Sequence, residues 1–77
     1  MAQVNSFERK SMERNVVHGT IGATYTPFEA NGEKYLQIDT YGSDSRDIPG
    51  KKSQSVQLNK QSAAELIEIL RREFDLV

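Results

Sequence analysis

The sequence predicts an α+β fold: a curved antiparallel sheet of three to four strands followed by one C-terminal amphipathic helix. Three observations carry this. Residues Glu33 to Tyr41 alternate apolar and polar side chains with a period of two. Asn31-Gly32, just before them, is the pair preferred in tight hairpins because both residues tolerate positive φ. After Asn59, apolar residues recur at helical spacing to Phe74. The predicted organisation is an N-terminal arm of unassigned structure over residues 1–15 and a single sheet-plus-helix domain over residues 16–77.

The arm, MAQVNSFERKSMERN, has apolar residues at irregular spacing, so neither period identifies it. Val16 to Phe28 is rich in threonine and β-branched residues, and reads as a strand with Val17, Ile21, Ala23 and Tyr25 on one face. Pro27 cannot donate to a central ladder, so this strand is expected to bend or to lie on an edge. A hairpin loop of two residues or more around Asn31-Gly32 returns the chain into Glu33 to Tyr41. There Leu36, Ile38 and Thr40 face one way, and Tyr35, Gln37, Asp39 and Tyr41 the other. Gly42 to Gly50 is polar and turn-rich, hence a loop. Ser53 to Leu58 forms a further strand with Gln54, Val56 and Leu58 on one face. Asn59 then serves as N-cap to a helix whose stripe is Ala63, Leu66, Ile67, Leu70 and Phe74, with Ile69 to one side.

Bulk properties narrow the function. A chain of 77 residues buries only about 60% of the surface its unfolded form exposes. It contains no cysteine and no recognisable set of metal ligands, so the usual staples of small folds are missing. Association with a second copy is the remaining source of burial, and Leu66, Ile69, Leu70 and Phe74 are the candidate dimer interface. No apolar run reaches the length of a signal peptide or membrane span, and a soluble cytoplasmic protein is expected. The formal charge of −1, from ten Lys and Arg against eleven Asp and Glu, excludes a global basic field. Charge is nonetheless uneven, since Arg46 to Lys60 holds four basic residues and one acid, whereas Glu65 to Asp75 holds four acids and two arginines.

Enzymatic chemistry finds few members for a constellation. His18 is the sole histidine, and no acid lies within four residues of it. Asp44 and Asp47 flank Arg46 without the ligand spacing or central glycine of a calcium loop. Gly42 followed by Gly50-Lys51-Lys52-Ser53 fails as a phosphate loop, because seven residues separate the glycines where four are needed and a strand follows where a helix is required. No enzyme, no cofactor and no metal is expected. What remains is a set of cations, Lys34, Arg46, Lys51 and Lys52, near Tyr35 and Tyr41. Cations track a phosphate backbone and ring faces accept bases, so these six are the candidate nucleic-acid-binding residues. The bland readings stand beside this one: sheet packing for the tyrosines and solubility for the lysines.

The course from KYLQIDTY through a polar loop to PGKK, then SVQLN and a closing helix, resembles the positive-cofactor-four family of transcriptional coactivators and its bacterial relatives. The match rests on Leu36, Ile38 and Tyr41 in the strand, Pro49, Gly50, Lys51 and Lys52 in the turn, and Val56, Leu58 and Asn59 at the strand end and cap. It covers about residues 16 to 74. The resemblance implies a sheet with one C-terminal helix, a dimer joined through helices, and binding of single-stranded or melted DNA along the sheet. Where the family pattern has an arginine and often a tryptophan, this chain has Asp39 and Gly42; Ser53 replaces a glycine. The expected function is a small homodimeric module binding single-stranded or distorted DNA, with a role in transcription regulation. The alternative is a protein-interaction adaptor on the same scaffold, favoured by the overall acidity and by Asp39.

Overall fold

A computed structural model describes residues 1–42 and 52–77. The element order is β1 (Ala2–Val4), β2 (Ala23–Ala30), β3 (Glu33–Tyr41), β4 (Lys52–Leu58) and α1 (Lys60–Phe74). The four strands form one open sheet in the order β1-β4-β3-β2. The α+β class and the closing helix are as expected. The sheet is mixed, because β1 joins β4 in parallel while the other two pairings are antiparallel.

Asn31 and Gly32 adopt φ of 53° and 78°, and Ala30 pairs with Glu33. The loop therefore has two residues, and the left-handed conformation at both matches the right-handed twist of the flanking strands. This turn sets the whole register of the hairpin, so Phe28 lies opposite Tyr35, Pro27 opposite Leu36 and Tyr25 opposite Ile38. Pro27 is accommodated because β2 is an edge strand.

The strand expected from Val16 to Phe28 is displaced. It begins at Ala23 and runs on to Ala30, and Val16 to Gly22 is exposed and outside the sheet. The register gives the reason: Ala23 pairs with Thr40 and β3 ends at Tyr41, so residues before Gly22 extend past their partner strand. The arm supplies a strand instead. Ala2, Gln3 and Val4 pair with Val56, Gln57 and Leu58, and Asn59 Nδ2 donates to Gln3 Oε1 and Asn5 Oδ1, both at 3.1 Å. Beyond β1 the arm follows the helix, where the Phe7 amide donates to Glu65 Oε1 at 3.0 Å.

Asn59 ends β4 and starts α1. Its side chain accepts from the Ser62 amide at 2.9 Å, and Ser62 Oγ accepts from the Asn59 amide at 3.0 Å, a reciprocal capping box. Arg71 and Arg72 in the last turn oppose the negative end of the helix dipole. Because Asn59 both caps the helix and holds β1, Asn59→Ala is expected to cost about 1 kcal/mol through the cap. It should also accelerate amide exchange at Gln3 and Val4, as measured by hydrogen–deuterium exchange beside thermal melting.

One face of the sheet gathers Tyr25, Pro27, Leu36, Ile38, Val56, Leu58, Ala2 and Val4 by register. The helix that should seal it meets the sheet chiefly through β4. Among the described residues Leu58 is the one buried apolar side chain, while Tyr25 is 73% exposed and Phe74 68%. The Cα radius of gyration is 14.8 Å, against about 11.5 Å for a packed domain of this length. Two apolar surfaces, the helix stripe and this sheet face, thus remain partly exposed among the described residues.

Candidate functional site

The opposite face of the sheet is polar and carries the sequence-predicted tyrosines. Tyr35, Gln37, Asp39 and Tyr41 project from β3, with Thr24, Thr26 and Phe28 from β2, Ser55 and Gln57 from β4, and Gln3 from β1 alongside by register. At the hairpin end Phe28 stacks on Tyr35, with ring centroids 5.4 Å apart and planes at 24°. At the other end Tyr41 Oη and Thr24 Oγ1 share a hydrogen bond of 3.0 Å. Six residues of extended chain place the two tyrosines roughly 20 Å apart.

Between them runs a directed chain of polar contacts. Gln57 Nε2 donates to Gln37 Oε1 at 3.0 Å, and Gln37 Nε2 donates to Asp39 Oδ1 at 3.0 Å. Ser55 Oγ donates to the same carboxylate, and Lys52 Nζ lies 3.4 Å from its Oδ2. Asp39 is 3% exposed. Its charge is tolerable there because every contact to it is a donor. The Ser55 hydrogen bond, followed by those from Gln37 and the charge and hydrogen bond of Lys52, holds the carboxyl below its ordinary value, against the desolvation that raises it.

Lys52 reaches Asp39 because of a β-bulge. Simple alternation would place Lys52 with Gln54, Val56 and Leu58 on the apolar face. The register shifts between Thr40 and Tyr41, so Thr40 faces Gln54 but Tyr41 faces Lys52. The one extra residue re-aims the lysine to the polar side.

A lowered native pKa means that the stabilisation from Asp39 is complete above the ordinary carboxylate value and is lost as the pH falls through the lowered one. Asp39→Asn is therefore expected to lower the melting temperature at neutral pH and to flatten its decline between about pH 5 and pH 2. Equal acid slopes in the two proteins would remove Asp39 as the pH-sensitive anchor.

The six predicted nucleic-acid residues are not one cluster. Tyr35 lies at the hairpin end, Tyr41 and Lys52 at the other, and Lys34, next to Tyr35 in the strand, projects to the opposite face by alternation. Arg46 and Lys51 lie outside the described residues. Lys52 is paired with Asp39, so its charge is partly compensated. Sequence reasoning missed Phe28 and Lys60. A groove of about 590 Å³ near Tyr35 is lined by Gln3, Asn5, Lys60 and Gln61 as well, which brings the helix-start lysine to the hairpin end of the face. Of the interface residues, Leu66, Leu70 and Phe74 lie along the stripe, whereas Ile69 lines a groove shared with Phe7.

Among the described residues no group of three or more His, Cys, Asp and Glu side chains is placed to hold a metal ion, and no helix is long and apolar enough to cross a membrane. No protein-family model matches the chain, and no significant similarity to a curated protein or a solved structure was found.

Proposed function

We propose that the chain is a homodimeric nucleic-acid-binding module that takes single-stranded or distorted DNA along the polar face of its sheet, without covalent change, in the manner of the positive-cofactor-four-like domains it resembles. The observation that carries this reading is the aromatic pair Phe28–Tyr35 at one end of that face and Tyr41 at the other, with a row of amide side chains between them. Rings accept base faces irrespective of sequence. Lys60 near Tyr35 and Lys52 opposite Tyr41 supply phosphate contacts, and Arg46 and Lys51 add to them. Asp39, buried and paired with Lys52, presents little free negative charge to a polyanion.

The dimer follows from what is left uncovered. Among the described residues the helix stripe and the apolar sheet face are only partly covered, and a second copy joined through Leu66, Leu70 and Phe74 covers them while leaving the polar face open. Transcription regulation is the process the resemblance suggests. The test is fluorescence anisotropy with a labelled oligonucleotide of about 20 bases at low salt, repeated as salt is raised. Affinity is expected to fall linearly on logarithmic axes with a slope of about −0.7 per phosphate contacted, and to vary little with base sequence. Absence of binding at low salt overturns the proposal.

One observation favours the adaptor reading. The pairing of Lys52 with Asp39 leaves the described part of the face with little net positive charge. A co-purifying protein partner, together with no oligonucleotide binding, selects that alternative.

A further inference from the structure

Asp39 places a carboxylate within the polar face, between the Phe28–Tyr35 pair and Tyr41, where a polyanion is repelled. Its partners are not equivalent. Ser55 Oγ donates to Oδ1, and Gln37 Nε2 donates to Oδ1 at 3.0 Å and to Oδ2 at 3.3 Å. These donors are neutral side chains of the sheet, and Gln37 is itself held by Gln57. The remaining partner among the described residues is Lys52, 3.4 Å from Oδ2 with its side chain 56% exposed. If the ammonium leaves, both carboxylate oxygens keep a hydrogen bond, so the buried group is not orphaned. Lys52 is therefore the exchangeable partner, and an ion pair with one half-exposed member is weak enough to exchange.

Tyr41 lies opposite Lys52 in the register, and its hydroxyl is fixed by Thr24 Oγ1. A ring and an exchangeable cation thus stand side by side. We propose that Asp39 determines the specificity of this face by withholding Lys52 from anions that offer only charge and releasing it to a strand already stacked on Tyr41. An anion arriving alone meets an ammonium whose charge is compensated at contact distance. A strand whose base rests on Tyr41 holds its phosphate beside that ammonium, so the exchange from carboxylate to phosphate becomes intramolecular and proceeds at a high effective concentration. The face then selects exposed bases against duplex, whose bases are stacked on one another, and against polyphosphate, which has none. This rests on the nucleic-acid reading above and names what that site selects.

A purely structural Asp39–Lys52 pair has the opposite consequence. Its loss loosens the face and weakens every ligand, whereas loss of a withholding charge strengthens those ligands that bind by charge alone.

The test compares full-length parent, Asp39→Asn and Asp39→Asn/Lys52→Ala at a temperature where melting curves show all three folded. Asparagine keeps an acceptor for Ser55 and removes the charge. Anisotropy is read with a labelled single strand, with the duplex of the same length, and with inorganic polyphosphate as competitor. Asp39→Asn is expected to bind duplex and polyphosphate about 1.5- to 5-fold tighter, the strength of one exposed ion pair. The single strand should gain less, and the salt slope for duplex should steepen by about 0.9, one further phosphate. The added Lys52→Ala should abolish these gains, because the effect runs through the lysine. Unchanged or weaker duplex and polyphosphate binding by Asp39→Asn, an equal gain for the single strand, or a gain that survives Lys52→Ala overturns the proposal and leaves strand binding standing. A parent chain that binds no single strand at low salt overturns both.

Discussion

Leu70→Glu is expected to abolish the dimer and, with it, most cooperative folding. Leu70 lies in the middle of the exposed helix stripe, and burying a leucine side chain is worth about 1.5–3 kcal/mol. Leu70 is 38% exposed in the single chain, so the interface buries only that share, about 0.6–1.1 kcal/mol; a twofold interface counts it twice, and even before the carboxylate's desolvation the dissociation constant should rise roughly tenfold. The isolated chain has little to fall back on, because Leu58 is the one buried apolar side chain among the described residues. Sedimentation velocity should show a monomer at micromolar concentration, and the thermal unfolding transition should broaden and fall. Ile69→Glu strikes the groove shared with Phe7, so a milder loss, centred on the arm, is expected. A Leu70→Glu protein with wild-type mass and melting would refute the assembly.

Phe28→Ala and Tyr35→Ala should each weaken oligonucleotide binding roughly 5- to 150-fold, the equivalent of about 1–3 kcal/mol for one stacked base. The two rings touch, so each supports the other's orientation and the double substitution should cost less than the sum of the singles. Tyr35→Phe separates the ring from its hydroxyl and should bind nearly as well as the parent. The Phe28–Tyr35 contact also contributes about 0.5–1.5 kcal/mol to folding, so the comparison is made at a temperature where melting curves show every variant folded. Unchanged affinity in both alanine variants would take the stacking station off this face.

The elements with a full period to display were legible in the sequence. The strand over Glu33 to Tyr41, the cap at Asn59 and the helix to Phe74 coincide with β3, the capping box and α1. Asn31-Gly32 encodes more than a turn. A two-residue turn dictates that Phe28 opposes Tyr35, so half of the aromatic station was available from register alone. A strand taken to end at Phe28 does not display it. Other features depend on pairing, which a single strand's pattern does not encode. Val16 to Gly22 has strand composition but runs past the end of β3. β1 is three residues long, too short for alternation to identify. Lys52 changes face through one bulged residue, an effect invisible until the partner strand is known. The buried Asp39 has the same origin, since its donors Ser55 and Lys52 come from β4 and are fixed by cross-strand register.

The central claim is that a polyanion lies on the polar sheet face while the helix stripe faces a second copy. Amide chemical-shift mapping of the isotope-labelled chain during titration with a short single-stranded oligonucleotide tests it most directly. The account predicts shifts concentrated at Thr26, Phe28, Tyr35, Gln37, Tyr41 and Gln57, with Leu66, Leu70 and Phe74 unmoved. Shifts confined to α1, or none at saturating oligonucleotide, would contradict it.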